Sequence, residues 1–307
     1  MGAPVLVAMS GGVDSSVAAA LLQRDGYDVT GVTMKLWGGV SDTGCCSVSD
    51  VDDARRVADH LEIPHHVFNF GDDFDRLVVQ PYVDAHTRGS TPNPCIECNR
   101  HLKFDKLLRR ATALGFHQVA TGHHARVVSS GGLHRVARGA DADKDQSYVL
   151  HMLTQEHLGR LLFPLGDLTK AEVRRLATGM GLRTADKPDS QDVCFITRTK
   201  GGRRQFLEQR VSLTPGRVVD STGTELGHVD AVELVTVGQR KGLGISGLTE
   251  PAYAVAVDVA GATVTIGSHG ELLTQLTPVT DLAWADGAMT GCLNIQTSAH
   301  GRVANGT

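Results

Sequence analysis

The sequence predicts an α/β fold with a parallel sheet, followed by a smaller region rich in β-strands. From residue 1 to about residue 125, short apolar strand patterns alternate with amphipathic helix patterns, which is typical of a parallel sheet covered on both faces. From about residue 212, short alternating segments separated by Gly and Asp replace the helical patterns. We therefore expect a first domain at residues 1–211, a small central domain at 212–248 and an all-β domain at 249–307.

The first domain begins with four predicted strands that are rich in apolar or β-branched residues. They are Val5–Ala8, Val29–Met34, His66–Phe70 and Val119–Thr121. Between them, Asp53–Leu61 has its apolar residues on one helical stripe, and the segment from Phe104 to Leu114 repeats that pattern. The alternation predicts helices that cross from one strand to the next.

The middle of the chain predicts a hairpin and then a capped helix. Ala125–Val128 and Leu133–Ala137 flank the turn sequence Ser-Ser-Gly-Gly. Thr169 and Glu172 have the spacing of a capping box, and apolar residues at helical spacing follow as far as Gly181. Three further strands are predicted at Gly216–Val219, Ala252–Val257 and Thr263–Ile266.

The composition is that of an ordinary globular protein. The 307 residues are 41% hydrophobic and 21% charged, and the net charge of −4 argues against a surface coated with basic residues. The basic residues nevertheless form two groups, either of which is a phosphate-binding patch or a solvated helix face. They are Arg100, Lys103, Lys106, Arg109 and Arg110, and Arg198, Lys200, Arg203, Arg204 and Arg210. Because no long apolar stretch or signal peptide is present, we expect a cytoplasmic protein without membrane contact.

The turn after the first strand has the residues of an anion-binding loop. We call residues 8–15, Ala-Met-Ser-Gly-Gly-Val-Asp-Ser, the glycine loop. Gly11 and Gly12 let several N–H groups point into one concavity, and the following helix adds the positive end of its dipole. Ser10 and Ser15 add hydroxyl groups. These features suit a nucleoside triphosphate cleaved between its α and β phosphates, and Asp14 is a candidate ligand for Mg²⁺.

Other loop types fit less well. No Gly-Lys-Ser/Thr follows at Walker spacing, and the loop is not Gly-x-Gly-x-x-Gly. A plain strand-to-helix turn that uses Gly for tightness remains an alternative. The position at the carboxyl end of the first strand favours a ligand site, because open α/β sheets bind ligands there.

Six cysteines give the second group of candidate residues. A cytosolic chain of this size does not need disulfides, so reactive or metal-bound thiols are expected. Cys95 and Cys98 form a Cys-x-x-Cys before a basic helix, where the helix dipole and nearby Arg and Lys favour the thiolate. Cys194 lies in a polar loop. The remaining cysteines are expected to be structural or incidental (Cys45 and Cys46) or packed in a β region (Cys292).

These features together resemble the tRNA-specific 2-thiouridylases, a family of the N-type ATP pyrophosphatase (PP-loop) superfamily. The similarity runs from residue 5 to about residue 301. It is carried by the glycine loop, Thr91-Pro92-Asn93-Pro94, Ala120-Thr121-Gly122-His123, Lys144–Tyr148, Cys194-Phe195-Ile196 and Gly238–Gly244. The resemblance implies an adenine-nucleotide α-hydrolase-like first domain, a small central domain and a C-terminal β-barrel.

The resemblance also implies a reaction. ATP, with Mg²⁺, adenylates the C2 oxygen of the wobble uridine (position 34) of tRNA, and pyrophosphate is released. Cys194 carries a persulfide that delivers sulfur to C2, AMP leaves, and Cys98 is the nucleophile that forms a transient disulfide with Cys194. The partners implied are tRNA and a sulfur-donating protein, either a cysteine desulfurase or a sulfur relay carrier.

By the same resemblance, each remaining site residue has an implied role. The ATP contacts are Ala8, Met9, Ser10, Gly11, Gly12, Val13, Asp14, Ser15, Met34 and Gly122. The target base, taken out of its stack, would lie against Asn93, Pro94 and Cys95. The tRNA contacts are His123, Lys144, Asp145 and Gln146. If residue type alone is considered, Met34 fits core packing as well as it fits an adenine contact. The alternative role of His123 is that of a buried polar residue with its hydrogen bonds satisfied.

The chain departs from the family pattern in two places. Some family members have an acidic residue where this chain has Cys95, so Cys95, Cys98 and Cys194 together are alternative ligands of an iron–sulfur cluster that would deliver sulfide. The family's barrel also runs well beyond the equivalent of Gln296–Gly301. We therefore expect an incomplete barrel, weakened tRNA affinity and a tendency to aggregate.

Two rival functions follow from these features. Another PP-loop adenylating enzyme, such as a synthetase or a lysidine former, would not need Cys98 and Cys194. A tRNA-binding remnant, inactivated by the short barrel, would bind tRNA without releasing pyrophosphate from ATP.

Overall fold

A computed structural model of the chain describes residues 2–36, 48–189, 193–196, 201–247, 250–298, 301 and 303–306. Cys45 and Cys46, and the basic residues Arg198 and Lys200, lie outside the described residues. The chain divides into two compact units. The first comprises Met1–Asp75, Cys95–Phe195 and Asp281–Thr307, and the second comprises Arg76–Pro94 and Ile196–Thr280. The expected three-domain division stays a prediction.

The first unit contains the predicted parallel sheet. Its first seven strands are β1 (Pro4–Ala8), β2 (Asp28–Lys35), β3 (His65–Asn69), β4 (Gln118–Thr121), β5 (Ala125–Ser130), β6 (Leu133–Arg138) and β7 (Leu161–Leu162). Five of them form one sheet in the order β3-β2-β1-β4-β7, and every pairing in it is parallel. Strands β5 and β6 pair antiparallel, as the Ser-Ser-Gly-Gly turn predicted. The α/β prediction is therefore confirmed.

The helices lie between the strands. They are α1 (Val13–Arg24), α2 (Val48–His60), α3 (Gly71–Phe74), α4 (Gln80–Thr87), α5 (Pro94–Glu97), α6 (Leu107–Ala113), α7 (Gln155–Leu158), α8 (Lys170–Gly179) and α9 (Gly202–Glu208). Two π-helical segments, Asp75–Val79 and Cys98–Lys106, join α3 to α4 and α5 to α6. Thr169 and Glu172 form the predicted capping box at the start of α8.

Strand β1 is buried because it lies between two other strands and beneath helices. Val5, Leu6 and Val7 are 0% exposed. Val5 and Val7 belong to one core cluster with apolar residues of α1 and α2. Such burial on both faces explains why β1 is a continuous apolar run and does not alternate. The glycine loop is therefore attached to the buried central strand of the sheet.

The helix that contains Cys98 begins earlier than its apolar pattern predicted. The helical run starts at Pro94, not near Phe104, because proline is well suited to the first position of a helix. Cys95 consequently lies in the first turn, and Cys98 lies one turn further in. The helix dipole therefore acts on Cys98 less directly than we expected.

The second unit contains a four-stranded sheet. Its strands are β8 (Gly216–Val219), β9 (Glu225–Val229), β10 (Tyr253–Asp258) and β11 (Thr263–Gly267). Their order is β10-β11-β8-β9, and the β11–β8 pair is parallel. Valines of these strands, among them Val218 and Val264, form a small core. The strands predicted beyond residue 212 are thus confirmed.

The C-terminal part of the chain carries little core. Strands β12 (Leu293–Ile295) and β13 (Ala304–Gly306) form a two-stranded pair. Leu276 and Val279 are 84% and 65% exposed. Cys292 is also exposed, so the prediction that it packs in a β core is wrong, because the short pair that follows it has no buried face. Across the part of the chain that the structure describes, no helix is both long and apolar enough to cross a membrane.

Gly122 allows the end of β4 to approach the start of α1, and this close approach can be tested. A Cβ at Gly122 would lie 2.7 Å from the backbone nitrogen of Ser15, whereas one at Gly179 in α8 would meet no atom within 4 Å. We expect Gly122→Ala to lower the free energy of unfolding by about 1–3 kcal/mol through overpacking. Gly179→Ala is the control and should leave stability unchanged or raised by up to about 1 kcal/mol. Urea denaturation measures both, and equal stability of the two variants would contradict the close approach.

Candidate active site

The site lies where the strand order of the parallel sheet reverses. Strand β1 pairs with β2 on one side and with β4 on the other, so the loops after β1 and β4 leave the sheet in opposite directions. A crevice forms at such a switch point, and ligands bind there in open α/β sheets. The glycine loop follows β1, and Gly122-His123-His124 follows β4. The sheet therefore brings together two stretches that are more than 100 residues apart in the sequence.

The glycine loop is ordered by its own serines and by one required glycine. The Ser15 hydroxyl accepts a hydrogen bond from the Ser10 N–H at 3.1 Å and donates one to the Gly12 carbonyl at 3.2 Å. Gly11 has φ +72°, and a Cβ there would lie 2.2 Å from the Asp50 carbonyl oxygen. Only glycine fits that backbone conformation and that space. The loop thus has the tight curl that its sequence predicted.

Asp14 is held by two partners that the sequence analysis did not identify. Lys170 Nζ donates to both carboxylate oxygens at 2.7 Å, and His124 Nε2 lies 3.3 Å from Oδ1. Burial acts to raise the pKa of Asp14, but the hydrogen bonds from His124 and Lys170 hold it below its ordinary value. Asp14 is therefore an ionised carboxylate whose charge is already balanced within the protein.

Asp189 lies at the centre of a cluster of three cations. Lys170 Nζ and Lys144 Nζ are each 2.9 Å from its carboxylate, and Arg174 donates to it at 2.7 Å. Burial acts to raise the pKa of Asp189, yet the hydrogen bonds from Lys170 and Lys144 lower it to about 2. Lys170 consequently bridges Asp14 of the glycine loop and Asp189, which precedes Cys194 by five residues.

The two proposed catalytic cysteines differ in environment. Cys98 is 8% exposed and Cys194 is half-buried, and both belong to the first compact unit. Phe195, next to Cys194, is 1% exposed and packs edge-on against Phe74, with 5.6 Å between ring centroids. Phe195 therefore anchors the backbone of Cys194 in the core of this unit.

The helix of Cys98 is joined to the same anchor. Lys106, at the end of the π-helical segment that begins at Cys98, forms an ion pair with Asp73, the neighbour of Phe74. Phe74 in turn contacts Phe195. A short series of contacts thus runs from the helix of one cysteine to the residue beside the other. Their pairing in a disulfide stays a prediction.

The nucleotide contacts implied by the resemblance lie around the switch point. Met34, at the end of β2, is 8% exposed, and Gly122 contacts the start of α1. His123 is 7% exposed and packs against Phe104 and Phe163, and burial lowers its pKa well below the ordinary value. The His123 ring is therefore a neutral core group, and a contact with tRNA would require it to move.

The implied tRNA stretch from Lys144 to Gln146 has divided roles. Asp145 accepts hydrogen bonds from the Gly139 N–H and from Ser147, and Gln146 Oε1 accepts one from the His124 N–H. These two side chains hold the local backbone. Lys144 is 38% exposed, so its ammonium is the group of this stretch that an RNA phosphate can reach.

The implied target-base residues lie at the start of the Cys98 helix. Asn93 is exposed and Pro94 is buried, and both belong to the second compact unit, whereas exposed Cys95 belongs to the first. Of the first basic group, Arg100 contacts Glu97 at 3.5 Å and Arg109 contacts Asp105 at 2.6 Å. Two cations of this group, which was predicted to be a phosphate-binding patch or a solvated helix face, are thus paired within their own helical run.

The described residues offer no ready metal site. No three His, Cys, Asp or Glu side chains among them are placed to hold a metal ion. Cys95, Cys98 and Cys194 are all described, so they are not arranged as ligands of an iron–sulfur cluster. Mg²⁺ needs carboxylate charge and substrate phosphates, and Asp14 is already neutralised by Lys170. Its role as a Mg²⁺ ligand stays a prediction.

The cation cluster around Asp189 predicts a specific dependence of stability on pH. Since its folded pKa of about 2 lies below the ordinary 3.8, its contribution is complete above about pH 5 and is lost as pH falls towards 2. We expect Asp189→Asn to cost about 2 kcal/mol at pH 7 and about half of that at pH 3. Urea midpoints across this range measure the difference. Asp167→Asn, an 81% exposed carboxylate near Arg126, is the control and should change little.

Comparison with known proteins identifies the family. A family model described as the tRNA methyl transferase HUP domain matches residues 3–198, and one described as the tRNA methyl transferase PRC-barrel domain matches residues 204–268. The HUP model thus covers both the glycine loop and Cys194.

Individual relatives match over nearly the whole chain. The chain is 48% identical over 290 residues to the tRNA-specific 2-thiouridylase MnmA of Geobacter metallireducens, covering 91% of this chain and 78% of that protein. It is 49% identical over 293 residues to that of Chloroflexus aggregans, with 93% and 81% covered. It is 47% identical over 313 residues to that of Mycolicibacterium smegmatis, with 98% and 86% covered. With this identity and the matching family models, the chain belongs to the tRNA-specific 2-thiouridylase family.

Proposed function

We propose that the protein catalyses the ATP-dependent 2-thiolation of the wobble uridine, position 34, of tRNA. The single observation that carries this proposal is the position of Lys170, which contacts Asp14 of the glycine loop and Asp189 near Cys194. Uridine activation needs the nucleotide loop, and sulfur delivery needs the cysteine. Lys170, a buried cation, contacts both the glycine loop, through Asp14, and the stretch that precedes Cys194, through Asp189.

In the first step the glycine loop binds ATP. Its backbone N–H groups and the N-terminus of α1 face the phosphates, and Met34 and Gly122 line the nucleotide site. The C2 oxygen of uracil attacks the α-phosphorus, the bond to the β-phosphate breaks, and pyrophosphate leaves. The uridine then carries AMP on its C2 oxygen, which converts a poor leaving group into a good one.

In the second step sulfur replaces that oxygen. The terminal sulfur of a persulfide on Cys194 attacks C2, the C2–O bond breaks, and AMP leaves with the oxygen. The Cys98 thiolate then attacks Cys194 Sγ, and the electron pair of the broken S–S bond stays on the transferred sulfur. The products are 2-thiouridine and a Cys98–Cys194 disulfide, which a dithiol reductant resets.

The remaining implied residues hold the tRNA. Asn93, Pro94 and Cys95 surround the extruded base, and Lys144 contacts the tRNA backbone, with Asp145 and Gln146 shaping the turn that presents it. His123 packs against Phe104 and Phe163, and its implied contact with tRNA stays a prediction. A cysteine desulfurase or a sulfur relay carrier supplies the persulfide sulfur. The iron–sulfur alternative lacks support from the geometry, since no three His, Cys, Asp or Glu side chains among the described residues are placed to hold a metal.

The family models are described by methyl transfer, whereas the relatives are named for thiolation. We favour thiolation, because the chain has an ATP loop and two separated cysteines tied to one compact unit. Methyl transfer uses neither. Other PP-loop adenylating enzymes and a non-catalytic tRNA-binding protein are the remaining rivals, and one product analysis distinguishes all of them.

We expect nucleoside mass spectrometry to detect 2-thiouridine in tRNA incubated with the protein, ATP, Mg²⁺ and a sulfur source. Cys194→Ser should abolish the product, because no persulfide can form, and Cys98→Ser should stop turnover. Cys292→Ser is the matched control, since Cys292 is exposed and outside the site. Its product yield should equal that of the unmodified chain.

Each rival gives a different outcome in this assay. A methylated nucleoside would support methyl transfer, and ATP cleavage that survives both cysteine changes would support another adenylating enzyme. Binding of tRNA without pyrophosphate release would indicate a non-catalytic protein. Iron measured after anaerobic purification should be absent from the active enzyme, and activity that requires it would support the cluster route.

Lys144 allows a separate test of tRNA binding. We expect Lys144→Met to weaken tRNA binding about 3- to 10-fold and to reduce the dependence of affinity on salt by about one phosphate contact. Filter binding at several salt concentrations measures both. Arg24→Met, an exposed cation paired with Asp25, is the control and should bind tRNA normally. Equal affinities of the two variants would remove Lys144 from the RNA surface.

A further inference from the structure

Lys187 connects the glycine loop to two other parts of the first unit. Its Nζ donates to the Gly11 carbonyl at 3.0 Å, to Asp50 Oδ1 at 2.6 Å and to Asp53 Oδ2 at 2.7 Å. Burial acts to lower the pKa of Lys187, but the hydrogen bonds to Asp50 and Asp53 raise it above its ordinary value. A permanent ammonium group therefore binds a backbone carbonyl within the predicted phosphate site.

The contact with Gly11 selects one orientation of a peptide that is otherwise free to rotate. In a planar trans peptide the Gly12 N–H points opposite to the Gly11 C=O. Since that carbonyl points to Lys187, the Gly12 N–H points away from it. A rotated peptide would bring the φ of Gly12, now −93°, to a positive value that glycine tolerates. With glycine on both sides, an external contact is needed to keep one orientation.

Lys187 is also the start of the segment that leads to Cys194. Arg174 donates to the Lys187 carbonyl at 3.1 Å and to Asp189 at 2.7 Å, so the backbone around Lys187 is held as firmly as its side chain. Cys194 follows seven residues later in the sequence. Lys187 therefore contacts the Gly11 carbonyl through its side chain and α8 through its own carbonyl.

We propose that Lys187 is a positioning residue that presets the Gly11–Gly12 peptide for phosphate binding and couples nucleotide binding to the segment bearing Cys194. The inference rests on the proposed function for the roles of ATP and Cys194. It adds a residue that the family motifs quoted above do not contain.

Arg183 provides a matched control for the simpler view that Lys187 only neutralises the acids of α2. Arg183 contacts Asp53 at 3.2 Å, and the described contacts give it none with Gly11. Removing either cation leaves Asp53 with one partner fewer. The loss of Lys187 also removes a partner of Asp50, which Arg183 does not contact in the described structure, and it alone frees the Gly11 carbonyl, so the second test below separates these two effects.

The first test measures affinity for α,β-methylene-ATP, which cannot be cleaved at the reacting bond, by calorimetry on the full chain. We expect Lys187→Met to weaken binding at least about tenfold, because a charge-assisted hydrogen bond is lost, and Arg183→Met to stay within about twofold. Lys187→Gln is measured in the same way and replaces Lys187→Met in the comparison if the Met variant does not fold. No loss in the Lys187 variants, or an equal loss in Arg183→Met, would overturn the proposal.

The second test separates peptide positioning from general stabilisation. Ala at position 12 suits the present φ and disfavours the rotated form, and its Cβ would meet only Ser10 Oγ at 3.6 Å. We therefore expect Lys187→Met to cost less affinity in a Gly12→Ala chain than in the unmodified chain. If Lys187→Met weakened analogue binding equally in both chains, Lys187 would not act by orienting the Gly11–Gly12 peptide. A Gly12→Ala chain that binds no analogue would also contradict this role.

The third test reads the coupling at Cys194. Peptide mass spectrometry measures the rate at which iodoacetamide alkylates Cys194. We expect a saturating concentration of the ATP analogue to change this rate in the unmodified chain, and Lys187→Met to remove that change. An unmodified chain without a nucleotide effect, or a variant that keeps it, would refute the coupling. These readouts do not depend on thiolation, so a protein that binds the analogue but forms no 2-thiouridine would refute the proposed function alone.

Discussion

The structure of the site depends on one buried ammonium group that lies between two carboxylates. Lys170 is 9% exposed and contacts Asp14 from one region of the chain and Asp189 from another. A buried ion is stable only with partners, because removal from water is costly unless opposite charge compensates for it. The start of α1, the start of α8 and the segment before Cys194 must therefore meet at one point.

Further cations extend this arrangement of ion pairs. Lys144 and Arg174 complete the surroundings of Asp189, and Lys187 neutralises Asp50 and Asp53. Lys170 and Lys187, which both contact the glycine loop, are thus already paired with carboxylates of the protein.

The helix of Cys98 shows how packing changes a local expectation. Its apolar pattern begins near Phe104, but Pro94 starts the helical run a full ten residues earlier. Within this helical run Cys98 is buried and Cys95 is exposed. Phe195, the residue beside Cys194, packs against Phe74. The neighbour of Phe74, Asp73, forms an ion pair with Lys106 of the Cys98 helical run.

The amino-acid sequence by itself determined the local elements: the strand, glycine loop and helix at the N-terminus, the hairpin at residues 125–138 and the Thr169 capping box. Each depends on neighbouring residues, whose propensities and turn chemistry act over a few positions. Only the tertiary structure decided that Lys170, Lys187, His124 and Asp189 belong to the site, and that His123 and Cys98 are buried. Their partners lie more than 100 residues away in several cases, and an isolated Lys or Asp in a sequence most often indicates solvent exposure.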